Sequence, residues 1–140
     1  MANVFALMGA SAEFYKQNDW NKLGFNSIDE LMSGFWQGWF KPMNPYVLLS
    51  MAKKWRSGNV TNYSRESLED TLSKITTKMY IMPFEKDMFV PVADCESEQR
   101  LIPNSELHPI PTTLGHFGML GLFDEDFEYI NNKLQELLSK

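Results

Sequence analysis

The sequence predicts an α/β chain in two parts. Helices fill 1–76, and strand–helix–strand–helix with a short parallel sheet fills 77–140. Three observations carry this. In the first half, apolar residues recur at helical spacing, notably Ile28, Leu31, Met32, Phe35, Trp36, Trp39 and Phe40 on one face. In the second half the period changes: Lys78-Met-Tyr-Ile-Met-Pro83 is a short continuous apolar run, the pattern of a buried parallel strand. A second such run covers 106–111. The helix expected between the two, over 91–102, makes a crossover, and a crossover of that length joins parallel strands right-handedly.

The individual elements follow from their ends. Ser27-Ile-Asp-Glu30 is a capping box, in which a hydroxyl and a carboxylate satisfy the first amides of a helix reciprocally, and Pro42 ends the run it opens. Asn44-Pro45 starts the next helix, with Asn as cap and Pro in the first turn. Leu48, Met51, Ala52 and Trp55 form its stripe. Lys53, Lys54 and Arg56 lie near its negative end, and Gly58 follows. A third helix is expected over 64–74 with Leu68, Leu72 and Ile75 inward. The prolines of 106–111 point to an edge strand or a bulge. Asp124 is expected to cap a last helix, with Phe127, Ile130, Leu134 and Leu137 facing one way and Asp124, Glu125 and Asp126 stabilising its first turn. Two parallel strands would leave an apolar edge and an apolar face open, so the sheet is expected to have lost a neighbour that preceded Met1.

Composition narrows the function. The chain has 140 residues, enough for a core, and is 44% hydrophobic and 14% aromatic, so it must bury aromatic surface in itself or against a partner. The net charge is -5, and no basic cluster exceeds Lys53-Lys54-Trp55-Arg56, which argues against nucleic-acid binding by counterion release. Cys95 is the single cysteine, so neither an internal disulfide nor a thiolate metal cluster can form; it is expected to be a small apolar residue of a helix. Two histidines make a multi-histidine metal site improbable, and no cofactor is expected. No apolar run approaches the roughly 20 residues that span a bilayer. The N-terminal stretch lacks a positive region, so no signal peptide and no membrane contact are expected, and a cytoplasmic location follows by default.

Two residues carry the candidate chemistry. Asp87 follows the first predicted strand, and His116, in Leu114-Gly-His116-Phe-Gly118, follows the second. Loops after the carboxyl ends of parallel strands meet at one edge of the sheet, so these two side chains can approach. A carboxylate that orients an imidazole is the acid–base part of a nucleophilic triad, and strand, Asp, helix, strand, Gly-His is the order in which α/β hydrolases place the last two members after their serine. The Gly-x-Ser-x-Gly elbow that should precede Asp87 is missing. Ser11, in Gly9-Ala-Ser11-Ala-Glu13, has half of the pattern, but Glu13 stands where the second Gly is needed. For Asp87 the competing role is a cap of the following helix; for His116, a loop histidine bonded to backbone. His108 is expected to be a packed or surface histidine of the second strand.

Around these residues, 79–122 resembles the end of the homoserine O-acetyltransferase family of α/β hydrolases. The matching segments are Asp87-Met-Phe-Val-Pro91, Ile102-Pro-Asn-Ser-Glu-Leu107 and Ile110-Pro-Thr-Thr-Leu-Gly-His116. Gly9-Ala-Ser-Ala-Glu-Phe-Tyr15, Leu23-Gly-Phe25, Gly34-Phe-Trp-Gln-Gly-Trp-Phe40, Asn44-Pro-Tyr-Val-Leu-Leu49 and Trp55-Arg-Ser-Gly58 resemble its lid helices, in order. The resemblance implies a partial α/β-hydrolase fold: a lid over 1–76 and the last strands and helices of the core over 77–140. It also implies acyl transfer or ester hydrolysis through an acyl-serine, with His116 as base and then acid, Asp87 as its orienting carboxylate, and a small-molecule acyl donor and acceptor as partners. In that family the nucleophile lies upstream of the lid, so a chain beginning inside the lid is expected to be inactive alone and to self-associate or pair with the missing half. The acetylating enzymes carry Asp after Gly-His; Phe117 stands there here and favours a divergent, hydrolase-like branch over homoserine as substrate. The rival reading is a non-catalytic helical interaction module whose aromatic surface binds a partner protein or a second copy.

Overall fold

The structure is a computed structural model and describes residues 1–139. Helices α1 (Ala2–Gly9) and α2 (Ala12–Lys16) are followed by a 3-10 turn, Asp19–Leu23. Helix α3 then covers 28–40: one α turn, Ile28–Glu30, a wider π segment, Leu31–Gln37, and a closing turn, Gly38–Phe40. Helix α4 (Pro45–Ser57), a 3-10 turn at Val60–Tyr63 and α5 (Leu68–Ser73) complete the helical half. Strand β1 (Met79–Ile81), α6 (Val92–Gln99), β2 (Ser105–Leu107), a 3-10 turn at Gly115–Leu120 and α7 (Asp124–Leu138) follow. The fold is mainly helical with a small parallel sheet, in which Met79, Tyr80 and Ile81 pair with Ser105, Glu106 and Leu107. Among the described residues no helix is long and apolar enough to cross a membrane.

Most local signals act as expected. Ser27 Oγ accepts the Glu30 amide at 3.1 Å, but Glu30 reaches past the box to the Asn26 amide at 2.8 Å, so the reciprocal bond is displaced by one residue. Asn44 Oδ1 caps α4 through the Tyr46 amide at 2.9 Å, with Pro45 in the first turn. The strands are shorter than their apolar runs. Pro83, Pro109 and Pro111 have no amide to donate, and beyond β1 and β2 the pairing persists only as a bridge between Phe84 and Ile110.

Four expectations need correction. The helix over 64–74 begins only at Leu68, because 60–63 form a 3-10 turn, Arg65 takes a left-handed φ of 58°, and Ser67 then caps the new helix through the Asp70 amide. Leu68 is exposed rather than inward. Asp124 does not cap α7: Phe123 holds the cap position with extended backbone and no side-chain bond, and Asp124 lies in the first turn. On α7 the buried residues are Asp126 and Leu137, whereas Phe127 and Leu134 are exposed, so the inward face is rotated from the expected one.

The core joins both halves of the chain. Ala6, Ala10, Phe14, Trp20, Leu31 and Trp36 pack with Leu114, Phe117 and Phe123. Phe117 lies at its centre, edge-on to Trp36 at 4.9 Å and to Phe35 and Trp39 at 5.9 Å each, arrangements that aromatic quadrupoles favour. Gly9 admits this ring, since any side chain there would collide with it.

Candidate active site

Asp87 ends the turn that leaves β1, its amide donating to the Phe84 carbonyl at 3.1 Å. Its carboxylate is buried, and it does not cap the following helix, whose cap position is Pro91 with no side-chain bond. Oδ1 accepts the amides of Phe89 and Val90 at 2.7 and 3.0 Å, which shapes the approach to α6. Oδ2 lies 2.9 Å from Nδ1 of His116. A carboxylate can only accept, so Nδ1 carries the proton and Nε2 is the nitrogen left for proton exchange.

His116 is presented by the 3-10 turn after β2. Gly115, at φ +58°, makes the turn: a Cβ there would lie 2.9 Å from the Lys86 carbonyl oxygen and 3.1 Å from that of Gly9. Gly118 lies equally close to Phe84 and Thr112. The imidazole packs against Phe89, with ring centres 5.0 Å apart. It opens onto a cavity of about 630 Å³ walled by Phe5, Trp39, Phe40, Met51, Trp55 and Phe89, and among the described residues no Asp, Glu, Lys or Arg side chain lines it. The Leu48, Met51, Ala52 and Trp55 stripe of α4 faces this cavity instead of a packed core. The arrangement can hold a proton acceptor beside a neutral, apolar group.

The structure thus brings Asp87 and His116 together. The other candidates stand apart. Ser11 is buried as the cap of α2: its Oγ accepts the Phe14 amide at 3.1 Å and its own amide donates to Thr113 at 3.2 Å. Among the described residues no serine hydroxyl is hydrogen-bonded to His116. His108 pairs with Glu106 through Nε2 at 3.1 Å. Cys95 is buried in α6, and burial, with Glu98 and Asp94 nearby, pushes its thiol pKa up, away from nucleophilic chemistry. Among the described residues no group of three or more His, Cys, Asp or Glu could hold a metal ion. Sequence reasoning missed the aromatic bracket of His116 by Phe89 and Phe117. It also missed Thr112 and Thr113, whose hydroxyls bond buried Asp126 and Asp19. A Thr-Thr pair shortly before Gly-His was the available signal.

No protein-family model matches the chain. It is 40% identical over 138 residues to an ethyl acetate hydrolase of Pseudomonas veronii, an alignment that takes 99% of this chain and 40% of that protein. It is 38% identical over 136 residues to a probable esterase of Corynebacterium glutamicum, covering 97% of this chain and 39% of the relative. Among solved structures, the acetyl esterase MekB superposes with a TM-score of 0.92 at 40% identity, and an acetylester hydrolase from Corynebacterium glutamicum with 0.92 at 37%. Each match covers 99% of this chain and 40% of the solved one. The chain spans about 40% of the length of these relatives, and the relatives are esterases.

Proposed function

We propose that this chain carries the acid–base half of a serine esterase. Asp87 is the orienting carboxylate, and His116 is the general base and then the general acid. In this reading 1–76 is the lid and 77–140 the end of an α/β-hydrolase core. The nucleophilic serine and the oxyanion donors stand on polypeptide outside these 140 residues, paired with the open edge of β1. The observation that carries the proposal is the 2.9 Å bond from His116 Nδ1 to the second oxygen of an already anchored, buried Asp87. The names of the relatives support hydrolysis of an acetyl ester, and they lend nothing to the interaction-module reading. The resemblance to homoserine O-acetyltransferases enters as shared acyl-serine chemistry with water as the acceptor.

The geometry suits each proton transfer. With Nδ1 held by Asp87, Nε2 takes the serine proton as the serine oxygen attacks the ester carbonyl. The resulting imidazolium is stabilised by the carboxylate 2.9 Å away and returns the proton to the departing alcohol. Water then repeats the cycle on the acyl-serine and releases the acid. The uncharged aromatic wall beside His116 accepts the apolar part of a neutral ester.

Co-expression with the part of the Pseudomonas veronii hydrolase that this chain does not match tests the proposal. The pair is expected to hydrolyse an activated acetyl ester, the chain alone to show no turnover, and His116→Ala to lower the rate of the pair by about 10³-fold or more. Turnover that ignores His116→Ala would sink the assignment.

A further inference from the structure

The segment that leads from the strand pairing to the His116 turn, 111–114, has no regular structure to hold it. Backbone pairing with the first strand ends at Ile110, Pro111 has no amide, and Gly115 is left-handed. Yet His116 must be held to a fraction of an ångström for the bond to Asp87 to form. Two consecutive side chains between these points supply the missing anchorage. Thr112 Oγ1 donates to Asp126 Oδ2 at 2.5 Å and accepts the Leu114 amide at 3.1 Å. Thr113 Oγ1 donates to Asp19 Oδ2 at 2.6 Å, while its carbonyl accepts the Ser11 amide at 3.2 Å. The two hydroxyls lead to carboxylates on different elements, Asp126 in the first turn of α7 and Asp19 in the 3-10 turn after α2.

We propose that Asp126 and Asp19 are positioning residues for His116, acting through Thr112 and Thr113. This rests on the esterase reading only in giving the position a purpose. Both carboxylates are buried, Asp19 at 7% and Asp126 at 4% relative exposure, where an unmatched carboxylate is costly and a donated hydroxyl is strongly held. Each threonine–aspartate contact is therefore a stiff tether. Lys22 steadies the pair from outside, 3.4 Å from Asp19 Oδ1 and 2.8 Å from Glu125 beside Asp126. One tether fixes the loop to the C-terminal helix and the other to the helical half, so the peptide just before Gly115 is held between them.

The chain has only two histidines, so their ring nitrogens can be read separately by long-range ¹H–¹⁵N NMR on the whole 140-residue chain, with His108 as internal reference. At a pH where both rings are neutral, His116 is expected to hold its proton on Nδ1, the tautomer that Asp87 selects. In the double variant Thr112→Val, Thr113→Val the tautomer ratio is expected to move about fivefold or more toward Nε2–H, as expected when one hydrogen bond is weakened. His108 should stay unchanged. Thr112→Ser with Thr113→Ser restores the hydroxyls and should restore the ratio, which a loss of general packing would not do. Should the double valine variant not fold, Thr113→Val alone leaves the Asp126 tether in place and should give a smaller shift in the same direction. A folded valine variant with wild-type His116 signals overturns the proposal. The readout is independent of turnover: the esterase reading fails if reconstituted hydrolysis ignores His116, and the positioning proposal fails if the tautomer ignores the threonines.

Discussion

Gly115→Ala separates two physical effects at the turn that presents His116. The first is conformational. At φ +58° an L side chain crowds its own following carbonyl, which costs about 1–2 kcal/mol. The second is steric. The new Cβ would lie 2.9 Å from the Lys86 oxygen and 3.1 Å from the Gly9 oxygen. Both neighbours are backbone, so no rotamer change relieves them, and forced overpacking of this kind adds about 1–3 kcal/mol. The expected loss is therefore about 2–5 kcal/mol. Two other glycines calibrate it. Gly24 has φ +83° with nothing within 4 Å of its Cβ position, so Gly24→Ala should show the conformational part alone. Gly38 is helical at φ -55° with its nearest neighbour at 3.8 Å, so Gly38→Ala should stabilise by about 0.5–1 kcal/mol. Urea unfolding followed by tryptophan fluorescence measures all three. Lys86 precedes Asp87, so a backbone that yields to the new methyl moves the carboxylate, and His116 Nδ1–H should lose its partner in the same variant. If Gly115→Ala comes within about 0.5 kcal/mol of Gly24→Ala, the close approach of the two loops has been misread.

Two further outcomes are expected. Burial pushes the Asp126 carboxyl pKa up, against the Thr112 hydrogen bond, so the folded chain holds that proton more tightly than the unfolded chain. The resulting stability is fully present below the ordinary carboxylate value of about 4 and is lost as pH rises through the raised one. Asp126→Asn, which keeps an acceptor for Thr112, should therefore gain on the parent across that window and level off above it; parallel denaturant midpoints at every pH would contradict the burial argument. The chain is also expected to self-associate and to bind an apolar dye, because Leu7, Trp55, Phe127 and Leu138 are exposed and β1 has one open edge. A sharp-melting, dye-negative monomer by light scattering would count against the proposed pairing with a missing half.

What the sequence made legible was mostly local. Asn44-Pro45 and Ser27 announce their helices because a cap is decided within four residues. Asp87 and His116 were legible because strand, loop and crossover have few ways to pack, and the observed pairing brings both to one edge. The features that escaped are settled by tertiary contacts or by single backbone choices. Nothing in the periodicity of 28–40 marks the π segment, where the Ser33 hydroxyl bonds back to the Asp29 carbonyl at 2.8 Å and Gly34 leaves space for Phe25. Arg65 takes a left-handed conformation that its residue type does not signal, and this delays α5. On α7 the three acids were read only as favourable charges in the first turn, yet Asp126 is buried, where Thr112 donates to it, and the apolar face is rotated accordingly.

His116 and Phe117 are adjacent in the chain but serve different parts of the structure. The imidazole turns to Asp87 at the edge of the sheet. The phenyl ring inserts among Trp36, Phe35 and Trp39 of α3, where Gly9 makes room for it. A 3-10 turn makes this possible, since neighbouring residues on so tight a helix diverge by about a third of a turn. The consequence is that the helical half is structurally part of the His116 site. It walls the apolar cavity with Trp39, Phe40 and Trp55, and it anchors the residue next to His116. Any shift of α3 would therefore act on the imidazole through one peptide bond. Phe117 thus places an aromatic anchor, rather than a charged group, directly beside His116.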